Sequence, residues 1–363
     1  MNLRNIATIR LESQQIAGTT FKTPKEIVRW MGAMQAQDFY MAKWAVGIRL
    51  PTSTDRIVQQ AIDSHEILRT HLLRPTWHFV SADDIYWMLE LSAPQVKALM
   101  KSGNKSLELT NSVFKKSNSI IERALEGNKH LTREELMTIL QQAKINTDSI
   151  RSAYLMMQAE LDKIVCSGIT KDKKQTYTLL SERVKKSKTL HKEEALAQLA
   201  QRYFTSHCPA TVQDFRWWSG LPAADARQAL ELVKKNFISE IIGTQTYWLT
   251  NSFSSSKKEE ASLYLLPAYD EFTISYKDRT ASLQAEHHAR SISINGIFKP
   301  TIVINGEVKG LWKRTFKGEK VSIETNFLKS PQKGLKKSIE KAAVSFGNFL
   351  EKKTEVIHKV IGR

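Results

Sequence analysis

The stretch Thr132–Met137 (TREELM) carries the pattern that decides how this chain is organised. The same pattern recurs at Thr23–Val28 (TPKEIV) and at Thr211–Arg216 (TVQDFR). Each copy has a threonine, an acidic residue three positions later and then a bulky apolar residue. A threonine hydroxyl can accept from the amides of a first helical turn, and an acid there lies at the positive end of the helix dipole. The three stretches therefore predict three helix starts.

Each predicted helix start is followed downstream by a short segment that opens with threonine and an aromatic residue. These segments are Thr76–Val80 (TWHFV), Thr176–Leu180 (TYTLL) and Thr246–Thr250 (TYWLT). Their alternation favours β-strands. In the second and third copies, apolar residues at helical spacing over 150–165 and 226–237 predict a second helix in between. Because helix, turn, helix and strand hairpin make a winged helix, the sequence predicts three diverged copies of that unit.

These units divide the chain as follows. The predicted divisions are a first winged-helix unit at 1–82, a helical linker at 83–125, a second unit at 126–184, a third unit at 185–252 and a C-terminal β-domain at 262–363. The first unit is predicted to carry an insertion at 51–72 that is helical around Ile57. The Ser/Lys-rich composition of 251–260 marks the last boundary.

The C-terminal region is predicted to be a small sheet that ends in a helix. Buried or alternating strands are expected at 262–267 and 321–325, and two hairpins are expected at 290–298 and 301–308, each with Asn-Gly at its turn. Apolar residues over 335–349 then follow helical spacing. The predicted fold class is α+β: three tandem winged helix-turn-helix units, a small antiparallel, barrel-like β-domain and a C-terminal helix.

Composition narrows the function. The 363 residues include 54 Lys and Arg against 37 Asp and Glu, a net charge of +17, which predicts a polyanionic partner, with nucleic acid first. Two cysteines cannot make a disulfide framework or a zinc cluster, so no metal is expected. The N-terminus lacks the apolar stretch of a signal peptide, and no run approaches the length of a membrane span. We therefore expect a cytoplasmic protein with no membrane contact.

The candidate catalytic residues are Gln35 and Gln37, within the segment 34–38 (MQAQD). A glutamine amide donates and accepts hydrogen bonds but does not titrate near neutral pH, so it can hold a water or a sugar oxygen without taking a proton. Residues two apart point about 200° apart on a helix but share a face of an extended segment. If both glutamines act on one target, the backbone must be non-helical. Chemistry alone favours a blander interpretation, two solvated glutamines at a helix terminus.

Several further stretches, together with the three winged helices and the β-domain, carry a family resemblance. They are Gln35-x-Gln37, 68–78 (LRTHLLRPTWH), 266–272 (LPAYDEF), 277–279 (KDR) and 310–314 (GLWKR). The chain resembles the tandem winged-helix bacterial DNA glycosylases of the AlkZ/YcaQ type over essentially its whole length. Gln37 at the second motif position matches the AlkZ-like branch, since YcaQ-like members have Asp there.

The resemblance implies a monofunctional glycosylase that removes N7-alkylated purines from double-stranded DNA, including bulky or crosslinked ones. It also implies a bacterial, nucleoid-associated monomer that uses no metal or small-molecule cofactor. An N7-alkylguanine is cationic and leaves as a neutral base, so the enzyme needs a positioned water and a favourable field more than an acid. We predict that Gln35 and Gln37 supply these. Asp38 is a third catalytic candidate, and a solvated acid at a helix end explains it equally well.

The predicted DNA contacts are basic residues in two regions. They are Arg69, His71 and Arg74 around the first unit's strand, and Lys277, Arg279, Lys313 and Arg314 in the β-domain. Contacts of this kind bind phosphates and position the protein without reading sequence. Since solvated surface charge explains any single base, we expect about half of them to be only that.

Two non-catalytic alternatives remain open from the sequence. A winged-helix transcription regulator would use one exposed recognition helix, normally as a dimer on a palindrome, but three units in one chain without an evident dimerisation helix argue against it. An RNA- or damage-binding scaffold would form stable complexes and release no product.

Overall fold

The computed structural model describes residues 2–148, 150–186, 189–251, 262–328 and 334–358. The predicted boundary at 251–260 therefore lies almost wholly outside the described residues. The helices are α1 (Leu3–Ser13), α2 (Pro24–Met31), α3 (Phe39–Arg49), α4 (Asp55–Asp63), α5 (Ile85–Ser106), α6 (Asn111–Leu125), α7 (Arg133–Gln142), α8 (Arg151–Leu161), α9 (Leu180–Arg183), α10 (Lys192–Ser206), α11 (Val212–Ser219), α12 (Ala223–Val233), α13 (Glu271–Ile274), α14 (His288–Ser291) and α15 (Leu335–Phe349).

The strands form four separate sheets. They are β1 (Ala33–Gln35), β2 (Ile67–Leu72), β3 (Arg74–Ser81), β4 (Leu131–Thr132), β5 (Val165–Ser167), β6 (Thr176–Leu179), β7 (Ile238–Ile242), β8 (Gln245–Leu249), β9 (Leu263–Leu266), β10 (Thr301–Ile304), β11 (Glu307–Lys317), β12 (Lys320–Phe327) and β13 (Lys353–His358). The sheet orders are β1-β3-β2, β4-β6-β5, β7-β8 and β13-β12-β11-β10-β9. The first three sheets each belong to one winged helix, and the fourth is the C-terminal sheet.

The three predicted helix starts are confirmed. Thr23, Thr132 and Thr211 are the N-caps of α2, α7 and α11, and each forms a capping box with the acid three residues later. However, the three helices do not occupy the same place in their units. By position, α2 corresponds to α6 and α10, whereas α7 and α11 are the helices that come next. The position in the first unit that matches Thr132 and Thr211 is Asp38, which follows β1 and caps α3. A capping box identifies a helix start but not its place in a repeat.

The second unit is larger than predicted. Its core joins α6 to α7, α8 and the strands β5 and β6, since Phe114 and Leu125 cluster with Leu136 and Leu155. Because α6 falls inside the predicted linker, we propose that the second unit begins at Asn111. In the first unit, the predicted insertion is indeed helical at α4, but its last residues form strand β2. That segment is therefore part of the unit itself.

The C-terminal sheet curls into a half-barrel, which confirms the predicted barrel-like β-domain. The predicted turn at Asn305-Gly306 joins β10 to β11, with positive φ angles of 49° and 83°. The hairpin predicted at 290–298 is wrong in part, because α14 occupies its start and only Ile292 bridges Phe298. A strand that was not predicted, β13, follows α15 and pairs parallel to β12.

The C-terminal sheet and the first unit share one hydrophobic core. The Trp44 indole on α3 donates to the Leu265 carbonyl at 2.8 Å, and its ring lies 5.1 Å from that of Phe346 on α15. A second core joins α5 and the third unit to the strands of the first unit. Segments far apart in sequence therefore converge around β1. No helix in the described ranges is both long and apolar enough to span a membrane.

Candidate active site

The two candidate glutamines lie on non-helical backbone: Gln35 is in a strand, and Gln37 is in the bend before α3. Gln35 ends β1 and pairs with His78 of β3, and the next amide, of Ala36, donates to the Trp77 carbonyl at 2.7 Å. Gln35 is 6% exposed, whereas Gln37 is exposed to solvent. The segment between β1 and α3 therefore has one buried side-chain amide, that of Gln35, and one exposed side-chain amide, that of Gln37.

Arg74 fixes the orientation of the Gln35 side chain. Its Nη2 donates to Gln35 Oε1 at 3.1 Å. A guanidinium only donates, so the amide oxygen must face Arg74, and the amide keeps its second lone pair and its two N–H groups for another partner. Burial lowers the pKa of Arg74, and nearby Glu271 partly offsets that effect. The structure thus shows Arg74, which we predicted as a DNA contact, bound to a candidate catalytic amide.

Arg69 holds the backbone of the same segment. Its Nε donates to the Ala36 carbonyl at 3.0 Å, and its Nη2 lies 3.5 Å from the Gln37 carbonyl. The guanidinium also lies 4.3 Å from the centre of the Trp77 ring, which is a cation–π contact. Two of its guanidinium nitrogens, Nε and Nη2, therefore donate to backbone carbonyls of the protein. Arg69 supports the glutamine segment as well as being a predicted phosphate contact.

The structure contradicts the predicted role of His71 as an exposed DNA contact. His71 is 4% exposed, its Nδ1 bonds to Glu160 of α8, and its amide donates to the same carboxylate at 3.1 Å. Its ring also packs on Trp77 at 4.5 Å. The residue belongs to the interface between the first and second units, because α8 of the second unit packs against strand β2.

A buried carboxylate, Glu271, completes the support of Gln35, and the sequence analysis assigned it no role. Its Oε1 accepts from the backbone N–H of Gln35 at 2.6 Å, and its Oε2 accepts from the Trp218 indole at 3.2 Å and from the Ser275 hydroxyl. His207 Nε2 lies 3.8 Å from Oε2. Burial opposes ionisation, but His207 and the hydrogen bonds from Ser275 and Gln35 outweigh it and lower the pKa of Glu271 to about 2.

Glu271 is held in place by the residue before it. Asp270 caps α13 by accepting from the Phe272 amide at 2.9 Å, and it accepts two bonds from Arg49 of α3, at 2.8 and 2.9 Å. Both partners of this ion pair are at most 1% exposed. Arg49 also donates to Gln14 of α1 at 2.8 Å. The only sequence signal for this network was an acidic pair inside the otherwise apolar stretch 266–272.

Asp38 has a structural role that accounts for its position. Its Oδ1 accepts from the Met41 amide at 3.0 Å as the N-cap of α3. Burial lowers the pKa of Arg314, and Asp38 partly offsets that effect, which places the two charges close together. Arg314 shares a face of β11 with the buried Trp312, whereas Lys313 points to the opposite side and is exposed. The predicted pair Lys313 and Arg314 is therefore split between two faces.

Lys277 and Arg279 lie beside an exposed aromatic residue of the third unit. Lys277 Nζ and Arg279 Cζ are 5.0 and 5.3 Å from the centre of the Trp217 ring. Arg279 Nε donates to the Thr273 carbonyl at 2.8 Å. Burial and then the nearby Arg74 lower the pKa of Arg279 to about 10. These two predicted DNA contacts therefore adjoin the arginine that binds Gln35.

The helices that would read DNA in an ordinary winged helix are used here for packing. In the second unit, α8 buries Leu155, Met156 and Met157 and places Glu160 on His71 of the first unit. In the first unit, Gln59 on α4 donates to Thr170 of the second unit at 2.9 Å. A site that needs an exposed recognition helix finds none in these two units within the described ranges.

The fold and the site together define a mixed α+β protein in which helical units and a curled C-terminal sheet surround a polar, amide-bearing centre. A family model described as DNA glycosylase AlkZ-like matches residues 28–349, and the chain belongs to this family. The family expected from the resemblance is thus confirmed. The protein is a DNA glycosylase, an enzyme that hydrolyses the N-glycosyl bond between a base and its sugar, and its substrate is DNA.

A curated protein and a solved structure, both from Streptomyces sahachiroi, are similar to the chain. A protein named interstrand DNA cross-link repair glycosylase is 20% identical over 324 residues, which cover 85% of this chain and 87% of the relative. The solved structure of the DNA glycosylase AlkZ has a TM-score of 0.82 at 18% identity and covers 98% of this chain and 100% of that chain. The structural match extends over all three winged helices and the C-terminal sheet, and it supports the same overall fold.

Proposed function

We propose that this glycosylase removes cationic, N7-alkylated purines from double-stranded DNA, with Gln35 and Gln37 as its catalytic amides. The observation that carries the proposal is a pair of neighbouring glutamine side chains, one fixed and one exposed. Arg74 binds the side-chain oxygen of Gln35, Glu271 binds its backbone N–H, and Gln37 is exposed two residues further along the chain. Such an arrangement can position a water and face the sugar without supplying a proton.

The reaction follows from the charge of the substrate. The bond between the sugar C1′ and N9 breaks, its electron pair neutralises the cationic base, and an oxocarbenium-like sugar remains. Water held by the amide oxygens adds to C1′ and releases a proton. Solvent takes that proton at this open site, and Asp38, whose Oδ1 caps α3, is the second candidate acceptor. The product is an abasic site and a free neutral base.

The histidine nearest to Gln35 explains why a neutral base would not be removed efficiently. His78, paired with Gln35 across the strands, is fully buried, and burial together with the nearby Arg74 lowers its pKa to about 3. It therefore stays neutral and cannot protonate a leaving base at neutral pH. Only a base that already carries a positive charge leaves readily from such a site.

Purines that join two strands are included in the proposed substrate range. A crosslinked base cannot be extruded into a deep cavity, because it remains attached to the other strand. Gln37 is exposed, so the sugar can approach it while the base stays outside. The relative from Streptomyces sahachiroi is named for interstrand cross-link repair, which supports this extension. The proposed enzyme acts as a monomer.

The test is release of free base from a duplex that contains N7-methylguanine. Gln35→Ala and Gln37→Ala are expected to slow release by roughly 10²-fold, since each removes one positioned polar group. Gln228→Ala, at an exposed glutamine of α12, serves as the matched control and should not change it. DNA affinity, measured on unmodified duplex, should be retained in all three variants.

The same assay on a duplex joined by a synthetic N7–N7 purine crosslink tests the wider substrate range. Strands that separate on a denaturing gel would support it, and Gln37→Ala should prevent that separation. Normal release by both glutamine variants would refute the assigned centre. If the native protein released no base from either lesion, a DNA-binding protein without this chemistry would remain, although its packed α4 and α8 argue against a sequence-reading regulator.

A further inference from the structure

Trp217 is the most exposed tryptophan in the described ranges. Of the eight tryptophans, all of which lie in the described ranges, Trp217 alone is counted as exposed, at 37%, and the others are buried or half-buried. Its indole donates to the Ile274 carbonyl at 2.8 Å, which fixes the ring against the segment after Glu271. An aromatic ring that is fixed by a hydrogen bond and partly exposed loses little entropy when another flat group packs on it.

Its position links it to the proposed active site in two ways. The next residue on α11, Trp218, is buried, and its indole donates to Glu271. The same carboxylate accepts from the backbone N–H of Gln35. On the other side, Arg279 lies between the rings of Trp217 and Phe298, at 5.3 and 5.1 Å. The charge of Arg74, after burial, also lowers the pKa of Arg279, so the two guanidinium groups are close to each other. Trp217 is therefore connected to the glutamine segment through the contacts of Trp218 and Arg279.

We propose that Trp217, Lys277 and Arg279 form a site for an unpaired nucleobase and its phosphate, the Trp217 surface. Base–aromatic stacking tolerates any base, since every base has a π-face. Lys277 is exposed, and its flexible stem lets the ammonium move from the ring to a phosphate. Arg279 is tied to the Thr273 carbonyl and stays beside the ring as a fixed positive charge.

The charges select which base the Trp217 surface would take. Two cations beside the ring disfavour a cationic N7-alkylpurine, so the lesion itself does not belong there. A neutral base fits the site. The reaction leaves an abasic sugar, and the base opposite that sugar loses its partner. The occupant we assign is this unpaired base of the complementary strand. The inference rests on DNA binding by the chain and not on the catalytic roles of Gln35 and Gln37.

The experiment compares two otherwise identical duplexes with the full-length protein. One places 2-aminopurine opposite a tetrahydrofuran abasic analogue, and the other pairs it with thymine. Neither duplex can be cleaved, so failure of the proposed catalysis would not affect the result. The native protein should bind the abasic duplex more tightly and quench its 2-aminopurine. Trp217→Leu should reduce that preference by roughly tenfold, whereas Trp217→Phe, which keeps a π-face, should retain most of it.

Trp30→Leu is the matched control, because Trp30 is half-buried and also donates its indole N–H to a carbonyl, that of Ser13, at 2.8 Å. It should leave the preference unchanged. Lys277→Gln should weaken binding to both duplexes alike and reduce the salt slope by about 1. An equal loss on both duplexes in Trp217→Leu, or no loss, would overturn the proposal. An unquenched 2-aminopurine with the native protein would overturn it without any variant.

Discussion

Glu271→Gln tests the support of the active site most directly. The substitution keeps the side chain's size and removes its charge. Three groups donate hydrogen bonds to the carboxylate: the backbone N–H of Gln35, the Trp218 indole and the Ser275 hydroxyl. An amide has only one oxygen for them, so at least one donor would face an N–H group. A hydrogen bond to a charged group contributes about 1.5–3 kcal/mol, and a buried group left unsatisfied costs a similar amount.

The lowered pKa of Glu271 gives a second value for the stabilisation that these contacts provide. A carboxyl whose pKa falls from 4.5 to about 2 in the folded protein stabilises it by about 3 kcal/mol at pH 7. Because the folded pKa is the lower one, this contribution is present above pH 4.5 and is lost as the pH falls toward 2. Most of it should remain at pH 4, and about half of it should be lost at pH 3.

Urea denaturation of the native protein and of Glu271→Gln at several pH values measures this contribution. We expect a difference in the free energy of unfolding of about 3 kcal/mol at pH 7 that narrows by about half at pH 3. Glu231→Gln, at an exposed site on α12, should change stability by less than about 0.5 kcal/mol. A difference below 1 kcal/mol at pH 7, or one that stays constant down to pH 3, would refute the assigned charge state.

Three further predictions concern the surroundings of Glu271 and Gln35. Arg74→Lys should lower kcat for base release by about tenfold with little change in KM, because an ammonium lacks the fork that orients Gln35 Oε1; Arg227→Lys, on the exposed face of α12, is the control. His71→Ala should leave DNA affinity unchanged but lower stability by about 3 kcal/mol, since it strands the buried Glu160. Base release should be flat from roughly pH 5 to 8, because His78 with its pKa of about 3 stays neutral there; an inflection near pH 6.5 would contradict this.

Local signals in the sequence were sufficient for the elements of the fold but not for their partners. Capping boxes at Thr23, Thr132 and Thr211 and the Asn305-Gly306 turn depend on residues within a few positions of each other, so the sequence predicts them correctly. The packing of α6 against α7 and α8 did not follow from the sequence for a different reason. An amphipathic helix shows that one face is buried but not what covers it.

The candidate site shows the same division. Non-helical backbone at Gln35 and Gln37 was expected if both act on one target, because residues two apart do not share a face of a helix. The contact between Gln35 and Glu271 spans 236 positions, and no local pattern records it. Arg69 and Arg74 were recognised as basic residues near the site. Their bonds to the glutamine segment depend on how β2 and β3 pair, and composition carries no information on that pairing.

The approach of the third unit to the first explains why so many units serve one centre. Gly220, with a φ of 68°, ends α11 directly against the turn between β2 and β3, and a Cβ there would lie 2.4 Å from the Leu73 carbonyl. That close contact places Trp218 on Glu271 just where Arg74 begins β3 and reaches Gln35. The second unit meanwhile uses its α8 to cover His71 on β2. The three units therefore meet around a single short segment, and α4 and α8 contribute contacts between the first two units.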